Sequence, residues 1–205
     1  MKLLALEFST ATASLALLED GALAAAAAVD AGHRRSQGLF AAAAELLRGA
    51  AWTMADVGAF AVGRGPGSYT GLRVSLTAAN GWALPANKPV WTVSSGAALA
   101  AEAFAELPEI PRVAVAGPAR RGTIWAGLFA RNAGQVGAWK LLPADARGAE
   151  WPGTHWVDPA RVPKAEWVGR LFFAGGASED RQPIYLHPAV IAAPRFDAEG
   201  QWLDP

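Results

Sequence analysis

The segment Gly63-Arg64-Gly65-Pro66-Gly67-Ser68-Tyr69-Thr70-Gly71-Leu72-Arg73 constrains the fold of this chain more than any other. It joins an apolar run, 57–62, to an amphipathic one, 72–84, so a strand feeds through a glycine-rich turn into a helix. Gly65 and Gly67 reach backbone angles closed to other residues, Pro66 stiffens the turn, and Ser68 or Thr70 is placed to cap the helix. The amides at such a helix start attract phosphate or carboxylate. Arg73, one turn later, could meet that anion or pair with a carboxylate. Gly65, Pro66, Gly67, Ser68, Thr70 and Arg73 are therefore either a structural turn or an anion site. The corner lacks the lysine of a P-loop, which favours the turn.

The elements around the corner follow from period and punctuation. Runs 2–8 and 14–18 read as strands, and Asp20-Gly21 marks a hairpin into 22–29. The alanines of that third run suit a helix by propensity, but the hairpin context argues for a strand. Leu39, Phe40, Ala43, Leu46 and Leu47 fall at helical spacing, with Ser36 as a cap and Gly49 as a stop. Residues 55–62 return as a strand. Beyond the corner, Leu72, Leu76, Ala79 and Ala83 form one stripe of a second helix closed by Pro85. A strand at 89–93 and a helix capped by Ser94-Ser95, ending near Phe104, complete this part. Three strands, helix, strand, helix, strand, helix is the order of a ribonuclease-H-like or actin-like half, an α/β mixed sheet flanked by helices. The expected division is an actin-like half at 1–106 and a shortened, irregular second half at 107–205. In the latter, 112–116, 123–129 and 136–141 read as strands. Residues 142–183, with five prolines and three tryptophans, show no sustained period.

Composition narrows the function. With 18 basic and 18 acidic residues the chain has no net field to hold a polyanion, so any RNA is expected to be gripped by a partner. The absence of cysteine excludes disulfides and a thiol nucleophile, and is compatible with a reducing cytoplasm. The start of the chain imitates a signal peptide until Glu7 interrupts it, and no run approaches the ~20 apolar residues of a membrane span. A cytoplasmic protein is expected.

Each candidate for chemistry has a plainer reading beside it. Glu7 closes the first strand, where an acid can hold a metal-bound phosphate, but it lacks a second acid and reads better as a solvated or capping carboxylate. His33, His155 and His187 have no metal-ligand spacing, so no metal site is expected. Ser36, Ser68 and Ser94 read as helix caps rather than nucleophiles. Arg34-Arg35 and Arg120-Arg121 are short basic pairs, too small to hold RNA alone. The two helices carry more small and apolar residues than one packing stripe needs. Leu39, Phe40, Ala43, Leu46, Leu47, Leu72, Leu76 and Ala79 are thus the candidate partner interface, set against simple dilution of polar positions by alanine.

Leu4-Ala5-Leu6-Glu7-Phe8-Ser9-Thr10, the corner from Gly63 to Arg73, its continuation Val74-Ser75-Leu76-Thr77-Ala78-Ala79-Asn80-Gly81-Trp82-Ala83, and Val93-Ser94-Ser95 resemble the bacterial TsaB family. Weaker echoes are Ala119-Arg120-Arg121-Gly122 and Pro183-Ile184-Tyr185-Leu186. Glu7-Phe8 stands where the family usually has Asp-Thr, Pro118 where a second acid is expected, Arg35-Ser36-Gln37 for His-Ser-Glu, and His187 for a terminal arginine. The resemblance implies a non-catalytic scaffold, with no catalytic residue of its own, that binds its paralogue TsaD. In that system TsaD transfers a threonylcarbamoyl group to the adenosine beside the tRNA anticodon, a TsaC-type synthase makes the adenylate, and TsaE joins the assembly. No resident cofactor is implied, with ATP or ADP at a subunit interface left open. The alternatives are an actin-fold ATP-binding or glycoprotease-like enzyme using Glu7 and the Gly65-Pro66-Gly67 corner, and a homodimer that uses the same helices without TsaD.

Overall fold

The computed structural model describes residues 1–30, 35–132, 134–187, 195–196 and 202–203. A five-stranded sheet forms from β1 (Lys2–Glu7), β2 (Thr12–Glu19), β3 (Ala22–Asp30), β4 (Ala59–Gly63) and β5 (Val90–Val93), in the order β3-β2-β1-β4-β5. The first three strands are antiparallel to one another, and β4 and β5 run parallel to β1. Asp20 and Gly21 both take positive φ, +48° and +87°, the twist that a two-residue hairpin needs. Full-length pairing of β3 with β2 thereby overrides the helical preference of its alanines.

Both faces of this sheet are covered, which is why β1 reads as an almost continuous apolar run. Leu4 and Leu6 face one layer with α1 (Arg35–Gly49) and α2 (Tyr69–Ala83), whereas Leu3 and Ala5 face α3 (Ser95–Glu106) and α4 (Ala165–Phe173). The second sheet, β8-β7-β6-β9, comprises β6 (Arg112–Pro118), β7 (Thr123–Ala130), β8 (Gly134–Pro143) and β9 (His155–Trp156). The short strands β10 (Arg195–Phe196) and β11 (Trp202–Leu203) pair with each other. Helix α3 is shared: Ala98 packs on the first sheet, while Leu99, Ala100 and Ala103 pack against Val113, Val115 and Phe129 of the second. Its alanines suit a helix enclosed on two sides.

Three expectations need correcting. The strand expected at 55–62 begins only at Ala59, after a turn in which the amide of Asp56 bonds the carbonyl of Thr53. Ser36, expected as a cap, lies inside α1. Residues 142–183 are not all irregular, because α4 occupies Ala165–Phe173 and returns to the first sheet. Its signal was present: Ala165, Val168, Gly169 and Phe172 stand at i, i+3, i+4 and i+7. Gly169 lets the helix press onto β2, where a Cβ would lie 2.3 Å from Leu18 Cδ1. A division at residue 106 separates the two sheets in sequence but leaves α4 on the far side of it. No described helix is long and apolar enough to cross a membrane.

Candidate functional site

The glycine corner is pressed against the end of β1. A Cβ on Gly67 would stand 2.3 Å from the carbonyl oxygen of Ser9, and one on Gly71 1.9 Å from that of Phe8. Gly65 has φ +97°, a conformation that favours glycine. Three amides of the corner are engaged within the chain. Ser68 N donates to Ser9 O (2.7 Å), Gly65 N to Ser95 Oγ (3.0 Å), and Gly71 N to Ser68 Oγ (3.2 Å). Ser68 is thus the cap of α2, and Thr70 is already inside the helix. Arg73 meets no carboxylate among the described residues: its guanidinium lies over the Tyr69 ring, 5.0 Å from the centroid, and donates to the Tyr69 hydroxyl.

Glu7 departs from its expected solvated or capping role. Its side chain is fully enclosed, with Oε1 accepting from the Ser9 amide at 2.7 Å and Oε2 from Ser95 Oγ at 2.7 Å. Burial pushes the Glu7 carboxyl above its ordinary value, and these hydrogen bonds offset only part of that rise. Ser95 both receives the Gly65 amide and donates to Glu7, so one hydroxyl ties α3, the corner and β1 together. Ser94 and Ser95 are both expected as caps of α3. Only Ser94 caps α3, accepting from Ala97 N.

A cleft of about 890 Å³ opens beside the corner, between the first sheet and the second. Thr10, Thr12 and Tyr69 line one wall, and Arg120, Trp125 and Leu141 line the other. No Asp or Glu is among its described lining residues, and Pro118 occupies the position where the resemblance implies a second acid. Glu7 is sealed behind Ser9 and does not reach this space. Among the described residues no group of three or more His, Cys, Asp or Glu is placed to hold a metal ion. His155 and His187 lie apart, on β9 and in the cleft, while His33 and Arg34 fall outside the described residues.

The candidate interface residues are largely turned inward. Leu39, Ala43, Leu46, Leu47, Leu72, Leu76 and Ala79 are buried in the chain's own core, and of the eight only Phe40 is exposed, at 51%. The outward surface is instead the complementary stripe: Ala41, Ala44, Glu45 and Arg48 on α1, and Thr70, Arg73, Thr77 and Gly81 on α2, followed by Leu84. A Cβ on Gly81 meets nothing within 4 Å, and Leu84 is 80% exposed. Phe40 packs edge-on to Trp82 at 5.4 Å and joins the two helices into one face. The outward stripe was readable as the residues left over from the Leu72, Leu76, Ala79 and Ala83 period.

The sheet order, with a glycine corner between β4 and α2 and a second sheet across a cleft, defines an actin-like α/β protein. The family model for tRNA N6-adenosine threonylcarbamoyltransferase, TsaD, matches residues 28–141. The tRNA threonylcarbamoyladenosine biosynthesis protein TsaB of Escherichia coli is 31% identical over 139 residues, which are 68% of this chain and 58% of that protein. Its Haemophilus influenzae counterpart is 35% identical over 132 residues, 64% of this chain and 55% of that protein. The chain therefore spans less than two thirds of the length of the curated relatives it matches. Among solved structures, a Pseudomonas aeruginosa protein described as similar to the peptidase YeaZ superimposes with a TM-score of 0.76 at 28% identity, covering 91% of this chain and 99% of that one. YeaZ from the same organism gives 0.74 at 27% identity, covering 90% and 99%. The chain belongs to the TsaB family.

Proposed function

We propose that this chain is a non-catalytic cytoplasmic subunit in the threonylcarbamoyladenosine modification of tRNA, docking through the outward face of α1 and α2 onto a TsaD-type paralogue. The tRNA is contacted through that partner, and TsaE joins the same assembly. The observation that carries this reading is the division of α2. One stripe closes the core, and the opposite one, Thr77, Gly81 and Leu84, is small or apolar and faces outward. Small side chains let a second helix approach closely, and an exposed leucine at the end supplies an apolar anchor. The bond partners of Glu7 speak against the enzymatic alternative, because its carboxylate is committed to Ser9 and Ser95.

The test is co-elution of the purified chain with its TsaD-type paralogue on a sizing column, followed by calorimetric titration. A 1:1 complex that is lost in Gly81→Arg and Leu84→Asp, with both variants still folded, supports the reading. Absence of a complex, or a complex indifferent to both substitutions, overturns it. Titration with ATP and magnesium addresses the enzymatic reading. Tight binding abolished by Glu7→Gln would replace the scaffold with an enzyme. Nucleotide bound only in the presence of the paralogue would place it at the subunit interface.

A further inference from the structure

We infer that the cleft between the two sheets binds a planar organic monoanion of the aromatic carboxylate class. At about 890 Å³ it has the volume of a site for a small organic molecule. Its walls are largely apolar, with Leu99, Leu141, Val162 and Leu186 among the lining residues. Three aromatic rings join them. Tyr69 and Tyr185 pack ring on ring, with centroids 4.9 Å apart, and each is 42% exposed. Trp125 of β7 is buried against Gly117, its partner on β6, where a Cβ would stand 2.4 Å from Cζ2. The missing side chain at 117 lets the indole sit against the strand, and aromatic walls of this kind favour a planar guest.

The charged groups in the lining set the sign of the guest. Arg120, in the turn between β6 and β7, is exposed, and its side chain forms no ion pair or hydrogen bond among the described residues. Arg161, the other lining arginine, is offset by Glu106, 2.6 Å away. With no Asp or Glu among the described lining residues, one arginine is left without an acid. Two further lining groups lack a partner. Trp125 donates its indole N–H to no described residue, and His187 Nε2 is buried without a hydrogen bond to one. A carboxylate accepts from a guanidinium and from an indole N–H, and bonds assisted by charge are the stronger ones.

A magnesium-bound polyphosphate does not fit the same space. It needs carboxylates for the metal and free amides for its oxygens. The described lining supplies no carboxylate, and the amides of Gly65, Ser68 and Gly71 donate within the chain. One unpaired arginine matches a single negative charge, whereas a polyphosphate carries several.

The experiment is calorimetric titration of the isolated chain with 1-naphthoate, with its uncharged counterpart 1-naphthamide, and with magnesium-ATP. The carboxylate is expected to bind one to one, the amide about threefold to tenfold more weakly, and magnesium-ATP not at all. Arg120→Gln should bring 1-naphthoate down to the affinity of 1-naphthamide and leave the amide within about twofold of wild type, so that the amide also reports a folded site. Arg121→Gln, next along the same turn but not in the lining, should change neither. Tyr185→Ala, at an exposed position, should weaken both ligands by about threefold. Absence of binding by either naphthalene at millimolar concentration overturns the inference. Equal affinity for acid and amide, or binding of 1-naphthoate indifferent to Arg120→Gln, overturns it too, as does magnesium-ATP that 1-naphthoate displaces. Every titration uses the isolated chain, so the docking of a paralogue stands or falls separately.

Discussion

The carboxylate of Glu7 occupies the space that a side chain on Gly63 would need: a Cβ there would lie 1.9 Å from Oε2 and 2.6 Å from Cδ. The two residues end neighbouring parallel strands, one step beyond the Leu6–Val62 pair. The missing side chain on β4 is thus what lets β1 end in a buried acid. Gly63→Ala is expected to force the carboxylate or β4 aside and cost about 1–3 kcal/mol, as overpacking of a dense core does. Urea unfolding of both proteins measures it, and equal midpoints would mean that the Glu7 side chain moves freely.

The same burial makes stability depend on pH. The Glu7 carboxyl titrates above its ordinary value of 4.5 in the folded chain, so over that interval the native state holds a proton that the unfolded chain has released. Its contribution therefore weakens as pH rises from about 4.5 through the folded value. Glu7→Gln keeps an acceptor for the Ser9 amide and supplies an N–H toward Ser95 Oγ. The variant should be more stable than wild type at neutral pH, and the difference should shrink toward pH 4.5. Unfolding midpoints between pH 4.5 and 8 test both the sign and the slope. A variant less stable than wild type throughout would mean that the ionised carboxylate is the favoured form.

The first sheet, α1 to α3 and the corner were legible because each is announced locally: apolar runs of strand length, an Asp-Gly turn, serine caps and a stripe at 3.6 spacing. The fate of Glu7 was not, because its partner Ser95 lies 88 positions away and nothing local says whether a terminal strand acid faces water or core. That seven of the eight candidate interface residues face the core was hidden for a related reason. Apolar periodicity identifies the face that packs, and on a helix lying on a sheet that face is taken by the chain itself. What remains outward is the inverse pattern, Thr77, Gly81 and Leu84, which has no hydrophobic period of its own. Helix α4 was lost among prolines and tryptophans, although its nine residues carry a full apolar stripe.

Opposite sides of α2 should accordingly respond in opposite ways. Leu76 is 7% exposed and belongs to the core under α1 and α2, so Leu76→Ala should cost about 2–4 kcal/mol by leaving a cavity. Gly81 has open space where a Cβ would go, so Gly81→Ala should raise stability by up to about 1 kcal/mol by removing the backbone entropy of a mid-helix glycine. Thermal melts of the isolated chain distinguish the two. A Leu76→Ala variant as stable as wild type would mean that α2 is loosely seated.

Residues 178–187 form a strap whose attachment is polar and local: Ser178 bonds Thr92 of β5 through both backbone groups, Asp180 pairs with Arg64, and Ile184 N donates to Arg64 O. Asp180 is held below its ordinary 3.8 first by the Gln182 amide and then by the Arg64 guanidinium, so its pairing is complete above that value and is lost as pH falls below it. At neutral pH the link can be removed chemically. In Arg64→Met the Asp180 contact disappears, while the Arg64 carbonyl that receives the Ile184 amide is retained. Exchange of the Ile184 and Ser178 amides should then quicken by about tenfold, with amides in β1 and β4 unchanged, since the strap opens without the sheet. Asp180→Asn should have a smaller effect, because its side-chain oxygen can still accept from the guanidinium. Hydrogen exchange read residue by residue separates the two cases. If β4 exchanges as fast as the strap in Arg64→Met, Arg64 supports the strand rather than the segment that crosses it.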